Sequence, residues 1–250
     1  MQRYFINQAY DEQLPLKLVD NDYHHAVRVM RMTIGEQCFV SFTNQITFLT
    51  EVVAITETHV ELKKIQQEAM LKEMPYHVSI CCGYTKGDKM EWVAQKGTEL
   101  GMNELIGFPA QSSVVKWDAK KLAKKADRLT KICKEAAEQS HRQSLPSVQL
   151  LASYKELLAQ TAQFDAILVA YEESAKEGEQ ATFTKMITQL APGSRVLVVF
   201  GPEGGLHPKE IADLEAHGAK LCGLGPRILR AETAPLYCLA AMSYAWELQG

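Results

Sequence analysis

The pattern of hydrophobic and polar positions divides the chain into two parts of different character. Up to about residue 70, short segments at 37–42, 47–53 and 59–62 alternate apolar and polar residues, which predicts strands with one buried face. Asp20 is a candidate N-cap for one helix over 21–31. Several short strands this close together favour a small β-barrel.

From residue 76 onward, strand-like and helix-like segments alternate. The apolar strand-like segments are 77–82, 105–108, 166–170, 196–200 and 221–224. The helix-like segments are 89–100, 119–140, 154–159, 181–190, 209–217 and 234–248. This alternation predicts an α/β domain with a mostly parallel sheet covered on both faces, joined to the first part by a polar linker over 66–75.

The helix predicted over 234–248 is apolar nearly all round. A helix of this kind is buried on more than one side. Its partners could be the core of its own domain, a second subunit, or both.

Two glycine-bearing loops follow predicted strands, at residues 200–205 and 224–234. Open α/β sheets bind ligands at the carboxyl ends of their strands, and glycine lets the backbone approach a ligand closely. Neither loop has the glycine spacing of a dinucleotide-binding or phosphate-binding motif. The two loops are therefore a candidate ligand site of another kind.

Several motifs occur in a fixed order along the chain. They are His25-x3-Val-Met-Arg31, Lys86-Gly-Asp-Lys-Met-Glu-Trp92, Gln95-Lys-x-Thr-Glu-Leu-Gly101, Glu138-Gln-Ser-x-Arg142, Gly201-Pro-Glu-Gly-Gly-Leu206 and Leu224-Gly-x-Arg-Ile-Leu-Arg-x-Glu-Thr-Ala234. Together they cover nearly the whole chain. The sequence resembles the RsmE family of the SPOUT superfamily, whose members use S-adenosylmethionine to methylate N3 of a uridine in small-subunit (16S) ribosomal RNA.

This resemblance implies a fold that periodicity alone would not suggest. It implies a PUA-like β-barrel that binds RNA over 1–72, and a SPOUT-type methyltransferase domain with a deep trefoil knot over 73–250. It also implies a homodimer, with the knotted domain at the interface. One departure is clear: Gln111 and Ser112 stand where the family carries a glutamate and an arginine.

In the resembling family the cofactor lies in a pocket formed by three loops. The matching cofactor-binding residues are Ala170, Tyr171, Glu172, Phe200, Gly201, Pro202, Glu203, Gly204, Gly205, Leu224, Gly225, Ile228, Leu229, Arg230, Thr233 and Ala234.

Methyl transfer from a sulfonium depends mainly on alignment of the reacting atoms and needs no metal. Uridine N3 carries a proton that must be removed, and the candidate groups are Glu203, Glu232, Arg230 and the Glu138/Arg142 pair. An arginine is a poor base, so Arg230 is expected to orient the uracil or stabilise charge on its carbonyl oxygens. Glu203 could equally shape its loop and Glu232 could cap the last helix, so no general base is assigned.

The segment 116–142 carries nine basic and four acidic residues in a chain of net charge −3. A charged helix face is usually only solvated, but this one is nearly of one sign and is a candidate for contact with RNA phosphates. The candidate RNA-binding residues are Arg3, His25, Arg28, Arg31, Lys86, Lys116, Lys120, Lys124 and Arg142. Trp92 is expected in the core rather than on a stacking surface.

Composition indicates the cellular compartment, and two alternative functions remain. Six cysteines without a Cys-x-x-Cys motif predict a reduced, cytoplasmic protein without a structural metal, and no apolar segment is long enough to span a membrane. A knotted ribose 2′-O-methyltransferase of tRNA or rRNA is one alternative. A non-catalytic RNA-binding or ribosome-assembly module is the other, although the two intact loops count against it.

Overall fold

The structure, a computed structural model, describes residues 1–171 and 181–249 in two compact units. Unit 1 comprises Met1–Glu73 and Ala137–Leu145, and unit 2 comprises Met74–Ala136 and Pro146–Gly250. The segment 137–145 therefore groups with the N-terminal residues, which no local pattern indicates. The domain boundary between residues 72 and 73 stays a prediction.

Unit 1 is built on a five-stranded sheet. Its strands are β1 (Gln2–Ile6), β2 (Lys17–Val19), β3 (Gln37–Phe42), β4 (Thr47–Ile55) and β5 (His59–Gln67). Their order is β1-β3-β4-β5-β2, with β1 parallel to β3 and the other pairs antiparallel. The sheet curls into a nearly closed barrel around inward-facing side chains that include Tyr4, Val40 and Val52. The predicted small barrel is confirmed.

The helix of unit 1 differs from the prediction at both ends. Helix α1 (Asp20–His24) continues as a π-helical turn over His25–Val29. Asp20 is the first helical residue, with φ +50°, so it is not the extended N-cap that we expected. Arg31 has φ +54° and lies beyond the turn, because a left-handed residue cannot continue a right-handed helix. Arg28 and Arg31 therefore do not share one helical face.

Unit 2 contains a six-stranded sheet that is parallel throughout. Its strands are β6 (His77–Gly83), β7 (Glu104–Phe108), β8 (Ser147–Leu150), β9 (Ala166–Ala170), β10 (Arg195–Phe200) and β11 (Lys220–Cys222). Their order is β11-β9-β10-β6-β7-β8. The predicted parallel sheet is confirmed, and the short strand β8 is an addition to it.

Apolar cores lie on both faces of this sheet. In β10, Val196, Val198 and Phe200 belong to one core, whereas Leu197 and Val199 belong to the other. A parallel strand buried on both faces is expected to be continuously apolar, as β10 is. The described helices that begin in unit 2 are α2 (Lys89–Glu99), α3 (Ala119–Gln139), α4 (Tyr154–Gln160), α5 (Ala181–Gln189), α6 (Pro208–Ala216) and α7 (Thr233–Ser243), and the last residues of α3, from 137 on, belong to unit 1.

Three further expectations need correction. The predicted linker begins too early, because residues 66 and 67 complete the ladder between β5 and β4. Trp92 is 52% exposed, since α2 buries the opposite face through Met90 and Val93. Helix α7 is covered on one side only within this chain: Leu239 is buried, but Tyr237 remains 44% exposed.

All six cysteines are buried and carry thiol groups rather than disulfides. Burial raises the pKa of the Cys82 thiol to about 12, so this thiol is protonated at neutral pH. Within residues 1–171 and 181–249, no cluster of His, Cys, Asp or Glu could hold a metal ion. The helices in the same ranges include none that is long and apolar enough to span a bilayer.

Two arginines of unit 1 are buried in ion pairs. Arg3 is 1% exposed and donates two hydrogen bonds to Glu68, at 2.9 and 2.8 Å, and one to Ser41 Oγ at 2.9 Å. Arg142 is 3% exposed and is paired with the carboxylate of Glu73. Both guanidinium groups form ion pairs with carboxylates of the protein and are shielded from solvent. We therefore remove Arg3 and Arg142 from the candidate RNA contacts.

The Arg3–Glu68 pair generates a prediction about acid stability. Burial raises the pKa of Glu68, but hydrogen bonds from Lys72 and Arg3 outweigh burial and leave the pKa below its usual value. A carboxyl whose pKa is lowered by folding stabilises the protein above its unfolded pKa, and this stabilisation is lost as the pH falls through the folded value. We expect unit 1 to lose stability below about pH 4.

Glu68→Gln should lower the free energy of unfolding at neutral pH by about 3 kcal/mol, because it leaves Arg3 buried without a counter-charge. The variant should also show a weaker loss of stability in acid. Urea unfolding followed by circular dichroism at several pH values tests both effects. Glu61→Gln is the control, since Glu61 lies on β5, the strand that ends just before Glu68, in the more exposed pair with Lys17. Equal effects of the two substitutions would refute the prediction.

Candidate functional site

A cavity of about 640 Å³ lies at the carboxyl ends of β9 and β10. Its walls come from the ends of these strands, the loops that follow β10 and β11, and the start of α2 and α7. The lining residues are Lys89, Ala170, Tyr171, Phe200, Gly201, Pro202, Glu203, Gly204, Gly205, Leu206, Ile228, Leu229, Arg230, Ala231 and Ala234.

Strand pairing explains why these loops meet. Strand β10 is parallel to its neighbour β9, and Phe200 lies directly opposite Ala170 at the end of both strands. Strand β11 pairs with the other edge of β9, and the N–H of Tyr171 donates to the carbonyl of Cys222 at 3.0 Å. The carboxyl ends of parallel strands share one edge of a sheet, so the loops that follow β10 and β11 converge there, beside Ala170 and Tyr171 at the end of β9.

The loop after β10 is a tight turn in which Gly201 has no room for a side chain. A Cβ atom on Gly201 would lie 2.7 Å from the carbonyl carbon of Gly205. The N–H of Gly205 closes the turn by donating to the Pro202 carbonyl at 2.9 Å. Gly83, at the end of β6, also packs closely against this loop, because a Cβ atom on Gly83 would lie 2.5 Å from Pro202 Cδ. The loop backbone is therefore held rigidly against the sheet.

Lys89 brings two carboxylates together at the cavity wall. Its Nζ lies 2.7 Å from Oε1 of Glu203 and 3.8 Å from Oε2 of Glu232. Burial raises the pKa of Glu203, but hydrogen bonds from Lys89 and from backbone N–H groups outweigh burial and leave the pKa below its usual value. The same hydrogen bond from Lys89 to Glu203 raises the pKa of Lys89. Glu203 is therefore ionised at neutral pH and poorly suited to take up a proton.

The two positions that depart from the family pattern support the loop after β10. Ser112 Oγ donates a hydrogen bond to the carbonyl of Gly205. The N–H of Gln111 donates at 2.9 Å to Glu210, a carboxylate that is only 5% exposed. Glu210 also accepts from the N–H of His207 at 2.9 Å and closes the N-terminal end of α6. The segment 110–113 is thus hydrogen-bonded to the last residue of the turn and to the first turn of α6.

The structure brings most of the predicted cofactor residues to the cavity. Ala170, Tyr171, all residues from Phe200 to Gly205, Ile228, Leu229, Arg230 and Ala234 line it. Leu224, Gly225 and Thr233 do not line it, and Glu172 lies outside the described residues. Sequence reasoning missed Lys89, Leu206 and Ala231. Lys89 was within reach of that reasoning, because it belongs to the motif Lys86-Gly-Asp-Lys89.

The candidate RNA residues fall into separate groups. Arg28, Arg31, Lys86, Lys116, Lys120 and Lys124 are exposed. His25 is half-buried and contacts the Tyr4 hydroxyl through Nδ1 at 3.2 Å. Glu91 partly neutralises the basic helix α3, because Arg128 lies 3.1 Å and Lys125 3.8 Å from its carboxylate. Glu138 and Arg142 belong to unit 1 and do not line the cavity.

Comparison with known proteins identifies the family. A family model described as an RNA methyltransferase domain matches residues 72–243, and one described as an RNA methyltransferase PUA domain matches residues 18–65. Ribosomal RNA small subunit methyltransferase E of Bacillus subtilis is 45% identical over 251 aligned residues, which cover 99% of this chain and 98% of the relative. The chain belongs to the family of ribosomal RNA small subunit methyltransferase E.

Solved structures of similar proteins agree with this assignment. A Legionella pneumophila protein with bound S-adenosylmethionine is 26% identical, with 96% of this chain and 97% of that one covered and a TM-score of 0.80. The family member from Neisseria gonorrhoeae, also bound to S-adenosylmethionine, has a TM-score of 0.83 with 98% of each chain covered. At 24% identity, the second comparison supports the fold alone. The resemblance seen in the sequence motifs is confirmed.

The tight turn after β10 generates a prediction about ligand binding. Gly201→Ala must displace the backbone of Gly205, so the cavity wall should shift and the affinity for S-adenosylmethionine should fall by about tenfold or more. Isothermal titration calorimetry measures this loss. Gly218→Ala is the control, because Gly218 has φ +88° in the same unit but does not line the cavity. An affinity lowered equally in both variants would contradict the role assigned to Gly201.

Proposed function

We propose that this chain methylates N3 of a uridine in the RNA of the small ribosomal subunit, with S-adenosylmethionine bound in the cavity at the ends of β9 and β10. The observation that carries the proposal is the convergence of the loops after β10 and β11 with the end of β9 at that cavity, in a chain whose family consists of RNA methyltransferases. The relative from Bacillus subtilis is named for this class of RNA.

The cavity has the properties that the cofactor requires. Its volume of about 640 Å³ falls within the range of small-molecule sites, about 300 to 1,000 Å³. Glycine-lined backbone at residues 201–205 and the apolar side chains of Ile228 and Leu229 suit an adenosine moiety, whose edge can be bound by backbone groups. When bound, S-adenosylmethionine supplies an electrophilic methyl group.

The residues of this chain then position the uracil. Arg230 lines the cavity and carries a permanent positive charge, so we assign to it the stabilisation of negative charge on a uracil carbonyl oxygen. Lys89 lies beside it and keeps Glu203 ionised through their hydrogen bond. We assign Glu203 to the shape and charge of the loop after β10. Its lowered pKa makes a role as general base for the N3 proton unfavourable.

Three further properties complete the proposal. The chain forms a homodimer, which the exposed aromatic residues Tyr237 and Tyr244 on the last helical segment support. Its methyltransferase domain carries the trefoil knot of the SPOUT fold. It acts in the cytoplasm, where the thiols of its six cysteines remain reduced.

RNA contact is proposed for exposed basic residues in each unit. Arg28 and Arg31 are exposed in unit 1, and Lys116, Lys120 and Lys124 are exposed in unit 2. Each ammonium or guanidinium group that neutralises a phosphate releases condensed counterions and strengthens binding at low salt. The buried Arg3 and Arg142 take no part in this contact.

Methyl transfer to purified small subunits from cells that lack this gene tests the reaction. With labelled S-adenosylmethionine, nucleoside analysis should show label in 3-methyluridine. Arg230→Ala should lower kcat by about a hundredfold, because it removes charge stabilisation in the transition state. Arg227→Ala is the control, since it lies in the same loop but does not line the cavity.

Label in a ribose 2′-O-methyl nucleoside would instead favour the alternative knotted methyltransferase. Cofactor binding without transfer to subunits, free rRNA or tRNA would favour a non-catalytic RNA-binding module.

Substitution of Lys120, Lys121 and Lys124 by glutamine tests the basic face of α3. These residues are exposed, so the protein should fold normally while its affinity for small subunits falls. The slope of log K against log salt should decrease by about 0.7 to 0.9 for each phosphate that the protein no longer neutralises. Lys131→Gln is the control, because Lys131 is paired with Glu135 on its own helix. An unchanged salt slope in the triple variant would remove α3 from the RNA surface.

A further inference from the structure

A second cavity, of about 420 Å³, lies beyond the carboxyl ends of β7 and β8. None of its lining residues lines the first cavity, at the carboxyl ends of β9 and β10, which we call the cofactor cavity. Its lining residues include Tyr84, Gln111, Ser113, Lys116 and Trp117. The chemistry assigned to the cofactor cavity uses none of these side chains.

One backbone segment separates the two cavities. Residues 110–113 contribute Ala110, Gln111 and Ser113 to the second cavity. In the same segment, Ser112 Oγ bonds the Gly205 carbonyl at the wall of the cofactor cavity. A Cβ on Gly204 would lie 3.0 Å from that of Ser112. A ligand that extends from the cofactor cavity across this segment can therefore reach the second cavity.

The second cavity has a rigid aromatic wall. The rings of Tyr84 and Trp117 lie 4.3 Å apart between centroids. The Tyr84 hydroxyl donates to the carbonyls of Gly107 at 3.1 Å and Leu151 at 2.7 Å, which fixes its ring. Nζ of Lys125 lies 5.9 Å from the centre of the Trp117 ring. The aromatic side chains of this wall are already fixed in the absence of a ligand, which lowers the entropic cost of binding.

Two polar groups at the cavity are available to a ligand. Ser113 Oγ is buried and has no hydrogen-bond partner among the residues that the structure describes. A buried hydroxyl without a partner is costly, and a ligand atom can supply the missing bond. Lys116 is exposed at the rim and carries a positive charge. Aromatic rings, hydrogen-bonding groups and a nearby cation together suit a nucleobase with its phosphate.

We propose that the second cavity binds the base of an unpaired nucleotide that flanks the target uridine in the RNA. This inference rests on the proposed function. N3 lies on the Watson–Crick edge of uracil, so the target base must be unpaired when it is methylated. A neighbour in the strand that is also unpaired can leave the stack, and unpaired bases bind to aromatic side chains. The cavity thus selects RNA by a nucleotide other than the one that is modified.

Two substitutions test the cavity from opposite sides. Trp117→Leu removes part of the aromatic wall, and Ala152→Phe fills the cavity from an exposed rim position. Each should raise the KM for small subunits by about tenfold, while the Kd for S-adenosylmethionine changes less than about twofold. Trp92→Leu is the matched control, because Trp92 is exposed on α2 and lines neither cavity.

A second measurement separates this proposal from the proposed function. Binding of a short unstructured RNA is followed by fluorescence anisotropy for the wild type and the same variants. If the wild type transfers no methyl group to subunits, weaker RNA binding by both cavity variants than by Trp92→Leu still supports the cavity.

Unchanged RNA affinity and unchanged KM in a folded Ala152→Phe variant would overturn the proposal. A raised Kd for S-adenosylmethionine in the cavity variants, with unchanged RNA binding, would also overturn it, because the cavity would then serve the cofactor.

Discussion

Parallel pairing of β10 with β6 on one side and β9 on the other is the constraint on which the candidate site depends. It brings the end of β9 and the loop after β10 to the same edge of the sheet, and β11 adds a second loop beside them. Parallel strands need long crossover connections, so residues far apart in sequence become neighbours there. Ala170, Phe200 and Arg230 line one cavity for this reason.

Close packing of the backbone fixes the shape of the cavity at this edge of the sheet. Gly83 and Gly201 allow close contacts that a Cβ atom would prevent, and Gly205 adopts φ +71°, a conformation that a side chain would strain. Ser112 then secures the outside of the turn through the Gly205 carbonyl. The family's glutamate and arginine at positions 111 and 112 are replaced here by residues that act through a backbone N–H and a short hydroxyl. The same segment forms the wall between the cofactor cavity and the proposed base-binding cavity.

Charge is used in two different ways in this chain. In unit 1, Arg3 and Arg142 are buried against Glu68 and Glu73, where they stabilise the fold and cannot meet a phosphate. At the cofactor cavity, Lys89 holds Glu203 ionised while remaining partly accessible. A basic residue in the sequence therefore indicates RNA contact only if its side chain is exposed and is not held in a buried ion pair with a carboxylate. That condition reduces the proposed RNA contacts to exposed lysines and arginines such as Arg28 and Lys124.

The sequence by itself determined the element types, the parallel sheet and the glycine loops, because apolar periodicity and glycine spacing are local properties. Its ordered motifs also indicated the family. Only the tertiary structure decided which charges are free, since the partners of Arg3 and Arg142 lie 65 and 69 residues away along the chain. It likewise decided that Lys89 joins the cavity and that Trp92 is exposed. Burial and long-range pairing depend on packing between distant segments, which no local pattern records.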